Sequence, residues 1–399
     1  MLRHFKLIWQ EPSLRMLCGI ILLFGTFGAS IGPYQSLIAV KEFGISDASY
    51  AAILMAALLV GVTAAVGIGI ISDQRPSRKV MATAAATSII GAAALVWFWD
   101  QPLAFVIGHI LFLPLSGTVF GQSMAVMRLV TAPWPQADRD AVSTLIRAIF
   151  AVPFAIVLPL WGLAFDLGVD LLFIYPVIGT VGGIMLFIIL RQWPADHDAP
   201  WTEQKSGLGF RASIGEMVAL PVFLRVMLVG SLHSGGALTG VILGLSFAAA
   251  GRGPDDVGQF FGMFVLFEIA ATLCVGTLLR LVPRMAIIAS GVCIYASFIA
   301  LMPLLAGSPY VWFLVIPGGV GGGFFYALAI TYLQELLGKR AGAGASLLAL
   351  QRIASDGLCA GIFALGTWIS GYALVGLMGG LGMVAALAIL IWLDRYKPL

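Results

Sequence analysis

Residues 191–219 read RQWPADHDAPWTEQKSGLGFRASIGEMVA, the longest polar stretch of the chain. The stretch includes the charged or titratable residues Asp196, His197, Glu203 and Lys205. On both sides of it the chain is strongly apolar, and charged residues occur mainly in short breaks. The stretch therefore predicts a linker between two hydrophobic halves of similar length.

The composition of the whole chain indicates the class of protein. Of the 399 residues, 60% are hydrophobic and only 10% are charged, with a net charge of +3 and a mean hydropathy of +1.01. Soluble domains carry about 25% charged residues. A soluble fold of this length could not hide so much apolar surface. Soluble enzymes, nucleic-acid binders and disordered chains are therefore excluded, and an integral membrane protein remains.

Twelve apolar runs are long enough to cross a bilayer as helices, which need about 20 residues, whereas barrel strands need about 10. They predict an all-α polytopic membrane protein with 12 transmembrane helices in two six-helix bundles. Residues 1–190 form the N-terminal bundle, 191–220 a cytoplasmic linker and 221–399 the C-terminal bundle. The runs, numbered spans 1 to 12, are 16–38, 49–72, 80–99, 103–127, 141–165, 171–190, 222–247, 257–279, 285–306, 310–336, 343–366 and 372–393.

The positions of the basic residues predict the orientation in the membrane. Of the 22 Lys and Arg residues, 18 fall in the two termini and in the segments on their side. The opposite side carries only Lys41 and Arg252, and two more, Arg147 and Arg352, lie inside spans. Because basic loops stay in the cytoplasm, both termini are predicted to be cytoplasmic.

Ionisable residues inside spans are candidates for function, because a charge at the bilayer centre costs about 2.5–3.5 kcal/mol on insertion scales. Glu268, at the middle of span 8, is either a group that exchanges a proton during transport or a neutral acid hydrogen-bonded between helices. Arg352 and Asp356 share one face of span 11. They are either a structural ion pair or a pair lining the transport cavity, in which Asp356 is a second candidate for proton coupling.

Other polar and aromatic side chains within the spans are candidates for substrate binding. Arg147 in span 5 is predicted to hold substrate hydroxyls or to lock span 5 to a neighbour, and Gln122 lies at a similar depth in span 4. His233, near mid-depth in span 7, is a titrating or substrate-binding residue or a packing residue. Aromatic rings beside amides or hydroxyls suit sugars and amphipathic molecules. Such side chains are those of Tyr34 and Gln35 in span 1 and Tyr326 in span 10.

Span 10 contains the glycine run Gly318-Gly-Val-Gly-Gly-Gly323. The run neither follows a strand nor opens a soluble helix, so it is not a phosphate-binding loop. Because small residues let membrane helices approach closely, it predicts a face of tight packing or bending.

No residue set predicts a catalytic or metal site. The four cysteines lie singly in apolar runs, without a CxxC sequence or a His/Cys cluster, so neither a disulfide nor a metal site is expected. There is no Walker A sequence, and no Ser/His/Asp set shares a face. The chain is expected not to be an enzyme and to hold no cofactor.

The loop between spans 2 and 3 reads GIISDQRPSRK, residues 69–79. A glycine, an aspartate four residues later and then a basic cluster resemble the signature loop of the major facilitator superfamily. The resemblance implies the two-bundle fold of that superfamily, a monomer, and alternating access to a site between the halves. It also implies a cytoplasmic gate formed by Gly69, Asp73, Arg75, Arg78 and Lys79.

Within that superfamily, the chain resembles the sugar efflux transporter family of bacteria. The resemblance implies a location in the bacterial inner membrane and export of sugars. It is carried, in chain order, by Gly28–Leu37 with Glu42–Gly44, by Gln122–Arg128, Leu145–Ala148 and Pro159, by Phe267–Ile269, and by Gln334–Ala345.

These observations together predict proton-coupled efflux of a sugar or similar small polar molecule. In this hypothesis Glu268, together with Asp356, exchanges a proton, while Arg147 and Gln122 orient the substrate or gate the cytoplasmic path. Two alternatives stay open: an exporter of drugs or amphipathic metabolites, and a membrane sensor that does not transport. The expected partners are the substrate, protons and the lipid bilayer, with no nucleic acid.

Overall fold

The computed structural model describes residues 2–74, 78–195, 199, 220–336 and 343–396. Within these residues every regular element is a helix, and no strand occurs. The all-α polytopic fold predicted from the apolar runs is therefore confirmed.

Helices occupy all twelve predicted spans. Eleven helical segments of the described chain are long and apolar enough to cross a membrane, and each coincides with a predicted span. The helix of span 11, which carries Arg352 and Asp356, is not among these eleven. Span 4 apart, the main helices in chain order are Pro12–Ile31, Asp47–Gln74, Arg78–Trp99, Gln136–Asp166, Ile174–Gln192, Leu220–Ala249, Pro254–Leu278, Arg284–Leu305, Val315–Leu336, Ala343–Ile369 and Tyr372–Tyr396.

Span 4 extends over Pro102–Thr131 but widens into a π-helical turn at Gly108–Phe112. Pro114 follows this turn and cannot donate a backbone hydrogen bond, so the regular α-helical pattern is interrupted before it. The turn carries His109, which is buried and lies 3.0 Å from the hydroxyl of Tyr175 in span 6. The irregular turn therefore supports a buried polar contact between two helices.

Span 1 is interrupted near its C-terminal end. The main helix ends at Ile31, two residues before Pro33, and the chain continues as the short helix Gln35–Leu37 and a π-helical turn, Ile38–Glu42. This break gives Tyr34 a position between two helical pieces, where its side chain is fully buried.

The chain divides into two compact units. Unit 1 consists of Met1–Gly32, Leu59–Leu158 and Asp170–Gly207, and unit 2 of Pro33–Leu58, Pro159–Val169 and Leu208–Leu399. The division into bundles at residues 1–190 and 221–399, with a linker at 191–220, stays a prediction. Most of that linker lies outside the described residues.

In unit 1, span 6 packs against spans 1 and 3. Small residues form the contact with span 3: a Cβ at Gly179 would lie 3.1 Å from Ala93, and one at Gly182 would lie 3.0 Å from Ile89. Close backbone approach between these helices therefore depends on residues without large side chains.

In unit 2, span 10 packs against spans 8 and 9, and span 7 packs against spans 11 and 12. The C-terminal pieces of spans 1 and 5 join this unit. The short helix Gln35–Leu37 packs against span 7, and the ring of Pro159 packs against Gly262 of span 8. Unit 2 thus brings together helices that are distant in the sequence.

Arg252, one of the two basic residues on the predicted outer side, has a structural role. Its guanidinium donates to the backbone oxygens of Ala306 and Ser308, at 2.6 and 3.1 Å, just after span 9. It also forms an ion pair with Asp256 at 3.0 Å. These bonds satisfy carbonyl groups at the end of a helix.

Candidate functional site

Glu268 lies at the middle of the span 8 helix, where that helix packs against span 10. The two backbones touch on both sides of it. A Cβ at Gly319 would collide with the carbonyl oxygen of Phe264, and a Cβ at Gly323 would collide with the carbonyl oxygen of Glu268 itself. The prediction that the glycine run is a tight packing face is therefore confirmed.

The carboxyl group of Glu268 lies beside two tyrosine rings. A Cβ at Gly322 would lie 3.5 Å from the Glu268 carboxyl carbon, 3.5 Å from the Tyr295 ring in span 9 and 3.3 Å from the Tyr326 ring in span 10. The three groups converge because Gly322 has no side chain. The result is a half-buried carboxyl group at mid-span with aromatic walls.

The hydroxyl group of Tyr295 belongs to a hydrogen-bond chain with span 7. The Thr239 hydroxyl in span 7 donates to the Gly235 carbonyl at 2.9 Å. Its single proton is then used, so the Tyr295 hydroxyl, 3.0 Å away, is the donor to Thr239 Oγ1. The Tyr326 ring in span 10 lies 5.9 Å from the Tyr295 ring, centroid to centroid. Three spans are thereby linked next to Glu268.

His233 adds an acceptor to this region. Its Nδ1 lies 2.8 Å from the Val229 carbonyl oxygen, which can only accept, so Nδ1 carries the proton. In the neutral ring Nε2 is therefore an acceptor, and it is buried without a hydrogen-bond partner. The ring centroid lies 5.3 Å from that of Tyr326.

We call Thr239, His233, Glu268, Tyr295 and Tyr326 the mid-span cluster. It offers a carboxyl group, an unpaired ring nitrogen and phenol hydroxyls between aromatic rings. Such a set can hold a small molecule rich in hydroxyl groups and can exchange a proton.

Part of this cluster was predicted from the sequence, one residue at a time. Glu268, His233 and Tyr326 were predicted as site residues, and all three lie in it. Tyr295 and Thr239 were not predicted. Tyr295 could have been recognised as a candidate from its position, because it lies at the centre of span 9. Tyrosine is usually enriched at the membrane interfaces instead.

Arg352 and Asp356 form the predicted ion pair. Arg352 Nε lies 3.0 Å from Asp356 Oδ2 within one helix, and the two side chains are 67% and 34% exposed. A pair so exposed requires water or polar groups around it, because lipid tails cannot solvate charge. This exposure is compatible with a place on a cavity wall.

Tyr34 and Gln35 lie in unit 2, at the C-terminal end of span 1. The Tyr34 ring meets Phe165 edge-on at 5.2 Å, and its buried hydroxyl has no hydrogen-bond partner. Gln35 is half-buried at the start of its short helix. The two side chains are therefore packed with helix ends of unit 2.

In unit 1, Gln122 is bonded to a residue of the predicted gate. Arg78 Nη1 donates to Gln122 Oε1 at 3.0 Å, joining the start of span 3 to span 4. Lys79 donates to the backbone oxygens of Leu190 and Trp193, at 3.2 and 2.6 Å, at the end of span 6. Arg78 and Lys79 thus tie helix ends together within unit 1, on the side predicted to be cytoplasmic.

The remaining predicted residues are described only in part. Gly69 and Asp73 lie in the helix of span 2, and Arg147 lies in the helix of span 5. For Asp73 and Arg147 the structure describes the helical backbone but not the side chain, and Arg75 lies outside the described residues. Their roles stay predictions.

One relative of known sequence matches almost the whole chain. A protein of Deinococcus radiodurans named "Putative sugar efflux transporter" is 26% identical over 396 residues, which cover 95% of this chain and 97% of the relative.

Two solved structures share the fold. The nucleoside transporter NupG matches with a TM-score of 0.74 and 14% identity, over 97% of this chain and 100% of that chain. A D-xylose-proton symporter matches with a TM-score of 0.70 and 15% identity, over 97% of each chain. The Major Facilitator Superfamily sequence model matches residues 16–355. The chain therefore belongs to the major facilitator superfamily of multi-pass membrane transporters.

Proposed function

We propose that this protein is a secondary active transporter that exports a sugar or a similar small polar molecule by alternating access, coupled to protons. It acts in the bacterial inner membrane, with both termini in the cytoplasm, as a monomer. The name of the Deinococcus radiodurans relative supports the substrate class and the direction.

The observation that carries the proposal is the position of Glu268. A carboxyl group at mid-span, beside Tyr295 and Tyr326, costs free energy in a membrane protein and is retained where it has a function. Proton exchange at this carboxyl changes its charge next to the groups that would hold a sugar. Proton and substrate binding are thereby coupled.

The other predicted residues act around this centre. Asp356, paired with Arg352, is the second carboxyl group available for proton exchange. The bond between Arg78 and Gln122 supports a role for Gln122 at the cytoplasmic gate with Gly69, Asp73, Arg75 and Lys79. Arg147, Tyr34 and Gln35 are assigned to substrate contact on the sequence argument alone.

The test is transport by purified protein in liposomes that contain a pH-sensitive dye and labelled sugars. The wild type is expected to move protons against the sugar flux. Glu268→Gln keeps the size of the side chain but cannot exchange the proton, so sugar-driven proton movement is expected to be lost. Labelled sugar should still exchange across the membrane.

Asp166→Asn is the matched control, because it makes the same carboxyl-to-amide change at an exposed helix end. It should behave as the wild type. Accumulation of sugar against its gradient by Glu268→Gln at the wild-type level would contradict the coupling role. Inverted membrane vesicles give the direction of transport.

The aromatic walls of the cluster favour one second candidate, an exporter of amphipathic molecules. The ring centroids of Tyr295, Phe325 and Tyr326 lie 4.1 to 5.9 Å apart, so the three rings pack as one aromatic group beside Glu268. Proton movement driven by cationic drugs and not by any sugar of the panel would select this function.

A further inference from the structure

The short N-terminal helix Leu2–Gln10 is anchored to unit 1. Arg3 Nη2 and His4 Nε2 lie 3.0 and 3.1 Å from the two carboxylate oxygens of Asp138, at the start of the span 5 helix. Ile8 is buried, at 4% exposure. The helix is therefore held in one orientation on the predicted cytoplasmic end of the unit.

The anchoring determines which side chains point away from the protein. With 100° between successive residues, His4 and Ile8 share the docked face, and Phe5 and Trp9 lie together on a face turned about 100° away from it. Phe5 is 50% exposed and Trp9 is 71% exposed. Lys6, next to them around the helix, is also exposed. The outward face thus combines two large aromatic rings with a basic residue.

A cleft of about 800 Å³ lies beside Trp9 and is lined by Glu11, Ser13, Arg15 and Gln192, among others. Glu11 accepts a hydrogen bond from the Ser13 backbone at 3.4 Å and caps the helix of span 1. Arg15 is exposed and is the basic side chain among the described residues that line this cleft.

We propose that the N-terminal helix and this cleft bind the headgroup of an anionic phospholipid from the cytoplasmic leaflet. Phe5 and Trp9 lie at the boundary between headgroups and acyl chains, where aromatic rings are favoured. Lys6 and Arg15 contact the phosphate. A helix with aromatic and basic residues side by side fits a lipid surface better than a soluble anion, which offers nothing to the exposed rings.

The experiment measures retention of phosphatidylglycerol and phosphatidylcholine by the purified protein in neutral detergent, by native mass spectrometry. The wild type should retain phosphatidylglycerol preferentially. A basic residue beside a bound anionic headgroup contributes roughly a fivefold gain in affinity for that lipid. Lys6→Gln and Arg15→Gln are therefore each expected to weaken binding about fivefold, and the double variant about 25-fold.

Arg280→Gln, which removes an exposed basic residue at the cytoplasmic end of span 8, is the matched control and should bind as the wild type. Raised salt should weaken phosphatidylglycerol binding by the wild type, because the contact is ionic and exposed. Equal retention of the two lipids would overturn the proposal. So would wild-type retention by the double variant, or binding that salt does not change. Salt sensitivity needs no variant, so the proposal stays testable if a variant does not fold.

Discussion

Three glycines of unit 2, Gly236, Gly240 and Gly319, differ in what an added methyl group would contact. At Gly319 it would meet the backbone of span 8, and at Gly236 it would meet the Tyr326 hydroxyl. At Gly240 it would meet open space. A backbone in a packed helix cannot move aside, whereas the tip of a tyrosine can shift. The cost of adding a methyl group is therefore expected to be highest at Gly319.

We expect Gly319→Ala to destabilise the protein by about 1–3 kcal/mol through overpacking. Gly240→Ala adds the same atoms without a clash and should be neutral or stabilising, by up to about 1 kcal/mol, because alanine favours the helix. The thermal unfolding midpoint in detergent measures both effects. Equal midpoints for the two variants would contradict the packing role of the glycine run.

At the scale of elements, four residues of unit 2 join the start of span 2 to spans 11 and 12. The Tyr372 hydroxyl donates one bifurcated hydrogen bond to the two carboxylate oxygens of Asp47, at 3.1 and 3.2 Å. The Tyr372 ring stacks on Phe363 at 6.4 Å, and Phe363 meets the buried Tyr50 edge-on at 6.0 Å. On the predicted topology this contact lies on the outer side of the membrane. It stabilises a state in which these helix ends are together.

Tyr372→Phe removes one hydroxyl and keeps the stack on Phe363. A hydrogen bond to a charged group contributes about 1.4 kcal/mol or more, so the separated state should become about tenfold more populated. The measurement is the rate at which a thiol reagent added outside the membrane labels a cysteine introduced by Ser36→Cys. Ser36 is fully buried in this structure, so labelling requires the helix ends to separate. The exposed cysteines are first removed by Cys274→Ser and Cys293→Ser.

The labelling rate should rise about tenfold with Tyr372→Phe, by the same hydrogen-bond magnitude. Tyr310→Phe, at an exposed tyrosine, is the control and should leave the rate unchanged. An unchanged rate in Tyr372→Phe would show that the Asp47 bond does not hold the helix ends together.

At the scale of the whole molecule, large exposed aromatic side chains mark helix ends in each unit. Phe98 at the end of span 3 and Trp368 at the end of span 11 are both 83% exposed. Aromatic residues at the ends of spans are favoured at membrane–water interfaces. On the predicted topology both positions lie at the outer interface.

The predicted orientation is testable with fusions. Green fluorescent protein fused after Leu399 should fluoresce, because a cytoplasmic C-terminus lets it fold, and alkaline phosphatase at the same position should be inactive. Alkaline phosphatase inserted at Gly307, between spans 9 and 10, should be active. The opposite pattern would invert the topology.

From the sequence, members of the mid-span cluster could be predicted singly, but not the contacts between them. Glu268 was conspicuous because charge is rare within spans. Its neighbours Tyr295 and Thr239 were not conspicuous in the sequence, since isolated tyrosine and threonine residues occur in many membrane helices. Gln122 and Arg78 were assigned different roles, but the structure joins them in one hydrogen bond. Their 44-residue separation carries no local pattern that would indicate contact.

The sequence by itself determined the membrane location, the twelve spans and the expected orientation, because hydropathy and charge act along the chain without reference to neighbours. Only the tertiary structure decided which polar groups meet at mid-span and which glycines touch a backbone. The physical reason is that lipid-facing and protein-facing sides of a span are both apolar. Helical periodicity therefore does not mark the packed face, and the rotation of each helix is determined by contacts with its partners.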